Sequence, residues 1–355
     1  MRLLDRYIIR GVLRATLLAM AVLLVLMALF LYVNEQGWVG VGRYGNLQAA
    51  RHVLLVLPGT LLPFVPVAAL SGALLAVGQL ARGSELTVMR TAGISVARIG
   101  GAVFAAGLLL LPAVLVVGEY VAPPLARMAR ESRAIERDGA ISRTAQALWL
   151  REDRRILRAD EADGGGITLF ALGDGTTLDS IARASDARAL PDGAWQLGQV
   201  RGSRLAGASV VPWQAGTQRL ELAGGMDFFS VLARDPGEMS LAQLRHASAW
   251  LQAHGLDARR LRLAFWAGIA RLVALPLAML LAVPLISGWL RGTENAARAS
   301  IGLLLGLAWY IGQRIVESGA LAFGLSPAWM ALLPTLLLGA ATGGMLLRLP
   351  RVSAA

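Results

Sequence analysis

The chain has no cysteine and no lysine among its 355 residues. Without cysteine it forms no disulfide and offers no thiolate to a metal or a catalytic centre. Without lysine it lacks both the phosphate-contacting residue of a Walker A loop and a Schiff-base amine. These absences exclude an ATP site of the P-loop class and covalent amine catalysis in this chain.

Other catalytic signatures are also missing. The histidines His52, His246 and His254 lack the one-turn spacing of paired zinc ligands, so we expect ordinary surface histidines. No G-x-S-x-G elbow occurs, and the acidic pair Glu152–Asp153 is typical of a solvated turn. The sequence therefore predicts a non-enzymatic protein with no catalytic residue, no metal site and no cofactor of its own.

Charged residues are scarce, at 16%, whereas apolar residues reach 56%. That apolar fraction is too high for an ordinary soluble domain. The formal net charge is nevertheless +11, which indicates an anionic partner such as nucleic acid, a membrane surface or an acidic lipid. The long apolar runs favour a membrane and its lipids over nucleic acid.

Six apolar stretches are long enough to cross a membrane, which takes about 20 residues as a helix. The first is too long for a signal peptide and no cleavage site follows it, so we expect an uncleaved span. The polar stretch 122–262 divides the spans into two groups of three. The spans are predicted at about 12–33, 53–80, 99–121, 263–288, 299–320 and 328–347.

The short loops carry arginine mainly on one side of the predicted membrane. Cytoplasmic loops are the ones enriched in arginine. The poor side has only Arg43 and Arg51, so we expect both termini in the cytoplasm and the insert outside. The rich side has Arg2, Arg6, Arg10, Arg14, Arg82, Arg90, Arg98, Arg291, Arg298, Arg348 and Arg351.

The insert, 122–262, is built of short, partly alternating segments separated by Gly, Asp and Pro. This pattern predicts an all-β sandwich or jelly roll. A helix is predicted at 240–253, with Ser240 as its N-cap and Gly255 at its end. We therefore divide the chain into membrane helices 1–121, a β domain with a terminal helix 122–262, and membrane helices 263–355.

A short charged segment, "ARGSELTVMRTAGISVARIG" at 81–100, interrupts the apolar runs. Ser84 is expected to cap a helix that opens with Glu85, Gly93 to end it in a left-handed conformation, and Ser95 to start the next helix. So short a helix is marginal in water and needs a surface to lie against. From these residues alone, the membrane interface is the more frequent surface and a protein partner the alternative.

Charged residues near the outer ends of the spans admit two interpretations. Glu119, Arg271, Arg314 and Glu317 can be snorkelling groups or local ion pairs. Together with Arg127, Arg130 and Arg133, the arginines can instead form a phosphate site for a lipid. The absence of a carboxylate deep in any span disfavours a proton-coupled transporter.

Two small-xxx-small patterns, "GLLLG" at 302–306 and "GAATG" at 339–343, permit close contact between helices. Packing within one chain and packing between chains are both open from the pattern alone.

Four segments carry a resemblance to a known family: "LLDRYIIR" at the start, "PVAALSGALLAVGQLARGSELTVMRTAGIS" at 66–95, "GEYVAPPLARMARESRA" at 118–134 and "LSPAWMALLP" at 325–334. They resemble the permease subunits of the lipopolysaccharide export system, the LptF/LptG family. The "LDRYI" opening, "GEYVAP" and "DPGEMSL" at 235–241 favour the LptG-type branch over the LptF-type branch. The resemblance covers essentially the whole chain.

The resemblance implies a membrane bundle of six transmembrane helices with a periplasmic β-jellyroll, in the bacterial inner membrane. It implies a heterodimer with a paralogous permease, a dimeric LptB-type ATPase that binds ATP and Mg²⁺, and an LptC-type bitopic protein with a jellyroll. Lipopolysaccharide is then extracted from the membrane and passed to this periplasmic bridge. The alternatives are the LptF-type paralogue of the same complex, or a membrane scaffold or signalling protein with an exported β domain.

The resemblance also assigns roles to residues. The family's coupling helix falls at 82–98, with Glu85 as its glutamate, Leu86, Met89 and Arg90 on the docking surface and Gly93 at its end. Arg130 and Arg133 match basic positions after the third span. Where relatives have basic residues after the first span and a lysine early in the fourth, this chain has Gly37, Trp38 and Gly268. The remaining candidates for contact with lipopolysaccharide are therefore Arg127, Arg271, Arg314 and Arg43.

Overall fold

The computed structural model describes residues 3–138, 148–152, 155–160, 166–173, 177–189, 195–206, 209–220, 235–253, 257–288, 295–322 and 325–348. The helices are α1 (Leu3–Glu35), α2 (Asn46–Leu61), α3 (Val65–Arg82), α4 (Glu85–Thr91), α5 (Val96–Val116), α6 (Ala122–Asp138), α7 (Leu241–Ala253), α8 (Arg259–Ser287), α9 (Asn295–Ala322) and α10 (Pro327–Arg348). The strands are β1 (Leu148–Glu152), β2 (Arg155–Asp160), β3 (Gly166–Leu172), β4 (Leu178–Ala189), β5 (Trp195–Ala206) and β6 (Ser209–Leu220).

Six helical stretches in the described chain are long and apolar enough to cross a membrane. They are Leu3–Trp38, Asn46–Arg82, Val96–Arg133, Arg259–Ser287, Ala297–Ala320 and Pro327–Arg348. The six predicted spans are therefore confirmed, and the protein is a multi-pass membrane protein. The second span bends where α2 gives way to α3 through a single 3-10 turn at Leu62–Phe64, next to Pro58, Pro63 and Pro66.

The centre of the bundle is α3, of whose 18 residues 14 are buried. Its neighbours α1, α4, α5 and α8 contribute the other buried side chains of one continuous apolar core. By contrast, only 6% of the residues in the most apolar part of α1 are buried, and only 17% of those in the most apolar part of α9. An apolar helix with a bare face needs lipid or another membrane protein beside it.

Gly302 and Gly306 of the "GLLLG" pattern pack against α3. We call this contact the α3–α9 seam. A Cβ at Gly302 would lie 2.9 Å from the Ser71 Cα, and one at Gly306 would lie 2.9 Å from the Val67 Cα. Only glycine permits so close an approach of two backbones. "GLLLG" therefore packs within this chain. In "GAATG", a Cβ at Gly343 would meet nothing within 4 Å.

The third span does not stop at its predicted end. A π-helical turn at Val117–Val121 follows α5, and α6 continues the helix to Asp138. The strands come next along the chain. We call the end of the bundle where α6 leaves for the strands and α7 returns the sheet-side end, and the end that carries α4 the α4 end.

The insert contains one antiparallel sheet of six strands in the order β1-β2-β3-β4-β5-β6. Its core is the face that buries Ile167, Leu169, Ala182, Ala184, Leu197 and Val200. The expected β domain is therefore confirmed. Each described strand pairs with its neighbours along the chain, and the crossover connections typical of a jellyroll are not found among these strands.

The helix predicted at 240–253 is α7, and its N-terminus is fully capped. Ser240 Oγ accepts from the Gln243 N–H at 3.2 Å, while the Ser240 N–H donates to Gln243 Oε1 at 3.2 Å. This is a capping box, so the predicted Ser240 cap is confirmed. Gly255, which was predicted to close the helix, lies outside the described residues, as does His254.

Candidate functional site

The short helix α4 lies where the charged segment was predicted to form one. Gly93 follows it with φ at +84°, in the left-handed region. The Ile94 N–H donates to the Met89 carbonyl at 3.0 Å and the Gly93 N–H to the Arg90 carbonyl at 3.1 Å. These two bonds form a Schellman motif. Ser95 then caps α5 by accepting from the Arg98 N–H, so both of these predictions are confirmed.

The expected Ser84 cap is wrong. Ser84 adopts a left-handed conformation with φ at 59°, and its side chain makes no capping hydrogen bond. The sharp turn out of α3 places the residue in this conformation, whereas a capping serine has an extended one. The Ser84 carbonyl still accepts the first helical bond of α4, from the Val88 N–H at 2.9 Å.

The two faces of α4 have different partners. Leu86 and Met89 are buried in the apolar core of the bundle. The expectation that they line an outward docking surface therefore needs correction, because in this chain they anchor the helix. The outward face consists of Glu85, Thr87, Val88, Thr91 and Ala92, with Val88 64% exposed and Arg90 half-buried at the edge.

The start of α1 holds α4 in place from the side. The Tyr7 hydroxyl donates to Glu85 Oε2 at 3.0 Å. Next to it, Arg98 at the start of α5 reaches Asp5 Oδ1 at 3.4 Å. The short helix at this end is therefore held by contacts with neighbouring elements, and it presents the acid Glu85 and the apolar side chain of Val88 outward.

The sheet-side end contains a half-buried polar cluster around Glu35. This carboxylate accepts from the Tyr44 hydroxyl at 3.0 Å and pairs with Arg133 at 3.3 Å. His52 lies 3.7 Å from it through Nε2, and its Nδ1 lies 3.2 Å from the Ala129 carbonyl oxygen. The expectation of a surface histidine is therefore wrong for His52, because α6 packs over it.

Tyr44 and Arg133 are hydrogen-bond donors of this cluster. Burial raises the pKa of Tyr44, and the hydrogen bond to Glu35 raises it further, so the phenol stays a protonated donor. The Arg133 guanidinium lies 5.6 Å from the centre of the Trp38 ring, a cation–π distance. Its buried Nε has no hydrogen-bond partner among the described residues. Arg133 thus has a spare donor beside its ion pair.

The other candidates after the first and third spans differ in their surroundings. Arg130 pairs with Glu238 at 2.6 Å. Arg127 is half-buried on the same helix, and Arg43 is exposed in the loop after α1. The Arg43 backbone N–H donates to the Glu136 carbonyl at 2.8 Å, which joins this loop to α6.

Arg271 and Arg314 line a second site, away from the cluster around Glu35. Both line a crevice between α8 and α9, together with the turn at 235–237. The Arg271 Nε donates to the Ala267 carbonyl at 3.2 Å, while Arg314 lies 3.7 Å from Glu317. At Gly268, a Cβ would collide with the Leu241 side chain, so a larger residue there requires that side chain to shift.

The predicted arginines therefore form two groups, one on α6 and one in the crevice. The turn at Pro236–Glu238 lies between them, because Glu238 pairs with Arg130 while Pro236 and Gly237 line the crevice. Arg130, Arg133 and Arg314 are each paired with a carboxylate. An anionic ligand must compete with these carboxylates, so both interpretations of the charges, ion pairs and phosphate contacts, remain compatible with the geometry.

Sequence reasoning missed several residues of these sites. Arg298 was counted as a cytoplasmic loop residue, yet its Nη1 donates to the Gly78 carbonyl at 2.6 Å inside the bundle. Glu35, Tyr44 and Gln313 were not singled out at all. Their partners lie elsewhere in the chain. The only sequence signal at these positions is a polar residue at the end of an apolar run or on its buried face.

The bundle, with its anchored short helix at one end and its arginine groups at the other, defines a multi-pass membrane protein with an inserted β domain. Residues 6–348 match the family described as "Lipopolysaccharide export system permease LptF/LptG", and the chain belongs to this family. It is 30% identical over 341 residues to the lipopolysaccharide export system permease protein LptG of Escherichia coli K12, covering 94% of each chain. The Haemophilus influenzae LptG is also 30% identical, over 340 residues, covering 94% of this chain and 95% of its own. The protein is thus a permease subunit for lipopolysaccharide export.

Proposed function

We propose that the chain is the LptG-type half of the permease and works beside an LptF-type paralogue on a dimeric LptB-type ATPase. ATP and Mg²⁺ bind on that ATPase, which agrees with the absence of lysine from this chain. The permease extracts lipopolysaccharide from the inner membrane and passes it to an LptC-type bitopic protein with a jellyroll. The names of the two bacterial relatives support the LptG-type assignment.

Both termini and α4 lie in the cytoplasm and the sheet lies in the periplasm. The arginine-rich short loops are on the α4 side, as cytoplasmic loops are. Since the chain has no cysteine, single cysteines can report the orientation. The sample is cells whose outer membrane is permeabilised and whose inner membrane is intact. A membrane-impermeant maleimide should label Glu131→Cys, which is exposed on α6, and should not label Ser84→Cys, which is exposed before α4. The reverse pattern would contradict this orientation.

The observation that carries the mechanism is the anchoring of α4. Leu86 and Met89 fix it to the core and Tyr7 holds Glu85, so a push on its outward face moves the bundle with it. Closure of the ATPase displaces α4 and narrows a cavity between this chain and its paralogue. The bare apolar faces of α1 and α9 border that cavity. Arg127, Arg130, Arg133 and Arg43 contact phosphate groups of the lipopolysaccharide.

Glu85→Arg tests this mechanism. Reversing the charge removes the acid from the docking face, so we expect the ATPase to co-purify poorly or to hydrolyse ATP without lipopolysaccharide release. Tyr7→Phe is the matched control, since it removes the internal hydrogen bond to Glu85 and leaves the acid in place. If the two variants behave alike, Glu85 acts within this chain and the docking role is refuted.

A further inference from the structure

The crevice between α8 and α9 contains polar atoms that the described chain leaves unsatisfied. It encloses about 320 Å³, within the size range of small-molecule sites. Arg271 lines it from α8, and Trp309, Gln313 and Arg314 line it from α9. The candidate arginines Arg271 and Arg314 are therefore two members of a larger polar set.

Gln313 presents an acceptor without a donor. It is only 2% exposed, and its Oε1 accepts no hydrogen bond from the described residues. Its Nε2 donates to the Ala331 carbonyl at 2.8 Å and to Glu317 Oε1 at 3.1 Å. Turning the amide round would point its oxygen at both of these acceptors, so its orientation is fixed. The free Oε1 can accept a hydrogen bond from a hydroxyl or an N–H.

Trp309 presents a donor without an acceptor. Its buried Nε1–H donates to no group of the described chain, although a buried indole normally finds an acceptor. Trp309 and Gln313 are four residues apart in α9, which places them on one face of the helix. Two residues that line the same crevice therefore carry one unpaired donor and one unpaired acceptor.

The charges of the crevice favour an anion. Arg260, Arg271 and Arg314 outnumber the carboxylates Asp235 and Glu317 by one. Arg271 uses Nε on the Ala267 carbonyl, and its terminal nitrogens make no other hydrogen bond to the described residues. Arg314 is 68% exposed and 3.7 Å from Glu317, so its guanidinium stands at the mouth. A guanidinium binds phosphate through two parallel hydrogen bonds.

The remaining wall is apolar. Pro63, Leu263, Ala264, Ala267 and the Tyr310 ring line it, and Tyr310 packs on Phe64 with ring centres 4.6 Å apart. A site with anion-binding, hydroxyl-binding and apolar parts suits an amphiphile better than a free ion.

We propose that this crevice binds the phosphate-bearing, hydroxylated headgroup of a lipid. Phosphate oxygens accept from Arg271, Arg314 and the Trp309 Nε1–H, and a hydroxyl of the headgroup donates to Gln313 Oε1. Two lipids have this chemistry: the phosphorylated sugar of lipopolysaccharide and the phosphoglycerol of phosphatidylglycerol. For lipopolysaccharide the inference rests on the proposed function and adds a second contact to the one on α6.

Trp309→Phe in the purified permease–ATPase complex is the test, because it removes only the N–H donor from an aromatic wall. Trp329→Phe on α10, where the ring is 69% exposed, is the matched control. After delipidation, the Tm of each complex is followed against lipopolysaccharide, phosphatidylglycerol and inorganic phosphate. We expect one of the lipids to raise the Tm of the parent complex and the control. Trp309→Phe should need about tenfold more of that lipid, as expected for a hydrogen bond to a charged acceptor.

The outcomes separate the possible occupants. Equal titrations of Trp309→Phe and Trp329→Phe overturn the proposal, and so does a Tm response that inorganic phosphate alone reproduces. Loss of complex assembly in Trp309→Phe, with unchanged lipid binding by the complexes that do form, means that a partner's side chain fills the crevice and also overturns it.

A parallel measurement on Arg133→Gln separates this inference from the proposed function. If Arg133→Gln loses lipopolysaccharide release while Trp309→Phe titrates normally, the proposed function stands and the crevice fails. If phosphatidylglycerol binding depends on Trp309 while Glu85→Arg transports normally, the crevice stands and the proposed coupling fails.

Discussion

At the scale of single residues, Glu119 joins two segments that lie far apart in the sequence. Its carboxylate accepts from the Leu241 N–H at 2.7 Å and from the Ala242 N–H at 3.3 Å. These are the first two backbone amides of α7. The third, that of Gln243, donates to the Ser240 side chain. A negative charge is also favourable at the N-terminus of a helix. Glu119 therefore acts as a second cap for α7, supplied by the π-helical turn of the third span.

Glu119→Gln should loosen the first turn of α7. The change removes the charge and one acceptor oxygen, and the loss of a helix cap costs about 1 kcal/mol. We expect the amides of residues 241–243 to exchange with deuterium several-fold faster, since exchange there follows local opening. Glu131→Gln, at an exposed position of α6, is the control. Unchanged exchange in Glu119→Gln would show that Ser240 and packing suffice to hold the helix.

At the scale of helices, the α3–α9 seam has little tolerance for added volume. Gly302→Leu should destabilise the bundle by about 1–3 kcal/mol, as overpacking of a well-filled core does, because its Cβ alone would lie 2.8 Å from Leu74 Cδ1. Gly312→Ala in the same helix meets nothing within 4 Å and should be neutral or slightly stabilising. Thermal unfolding in detergent compares the two variants. Similar Tm values for both would mean that α9 can move away from α3.

The C-terminal end of α4 was predictable from sequence, whereas its N-terminal cap and its faces were not. Gly93 and Ser95 act through their own backbone and side chain, so local reasoning identified their roles. The prediction that Ser84 caps α4 was wrong because the turn from α3, not the serine, sets the conformation of this residue. Leu86 and Met89 are as compatible with a docking surface as with a core until the position of α1 and α3 is known.

The same limit applied to the membrane helices. Hydropathy located all six spans because a hydrocarbon layer imposes a length on each one. It could not locate the partners of the polar residues inside them. Gln313 donates to a carbonyl in the next helix, and Arg298 donates to one 220 residues away. Only the packed bundle brings these groups together.

At the scale of the whole molecule, the two chain segments that lead to and from the β domain are tied together at several points. Arg130 with Glu238 and Glu119 with α7 join the chain that leaves for the sheet to the chain that returns from it. Arg133 with Glu35 joins the leaving chain to the first span. A ligand that displaces one of these carboxylates therefore also loosens the contact that it makes between these segments.

Opposite effects of Glu35→Gln and Arg133→Gln would establish this competition. Both changes break the same ion pair, and each should cost about 1–3 kcal/mol of stability, since one partner stays partly buried. Their effects on the substrate differ, because Glu35→Gln releases the Arg133 guanidinium for a phosphate, whereas Arg133→Gln removes it. We expect several-fold more lipopolysaccharide to co-purify with Glu35→Gln and several-fold less with Arg133→Gln, measured per assembled complex. A decrease in both variants would mean that the pair serves only to hold α6 against α1, and that the phosphate contacts lie elsewhere at the sheet-side end.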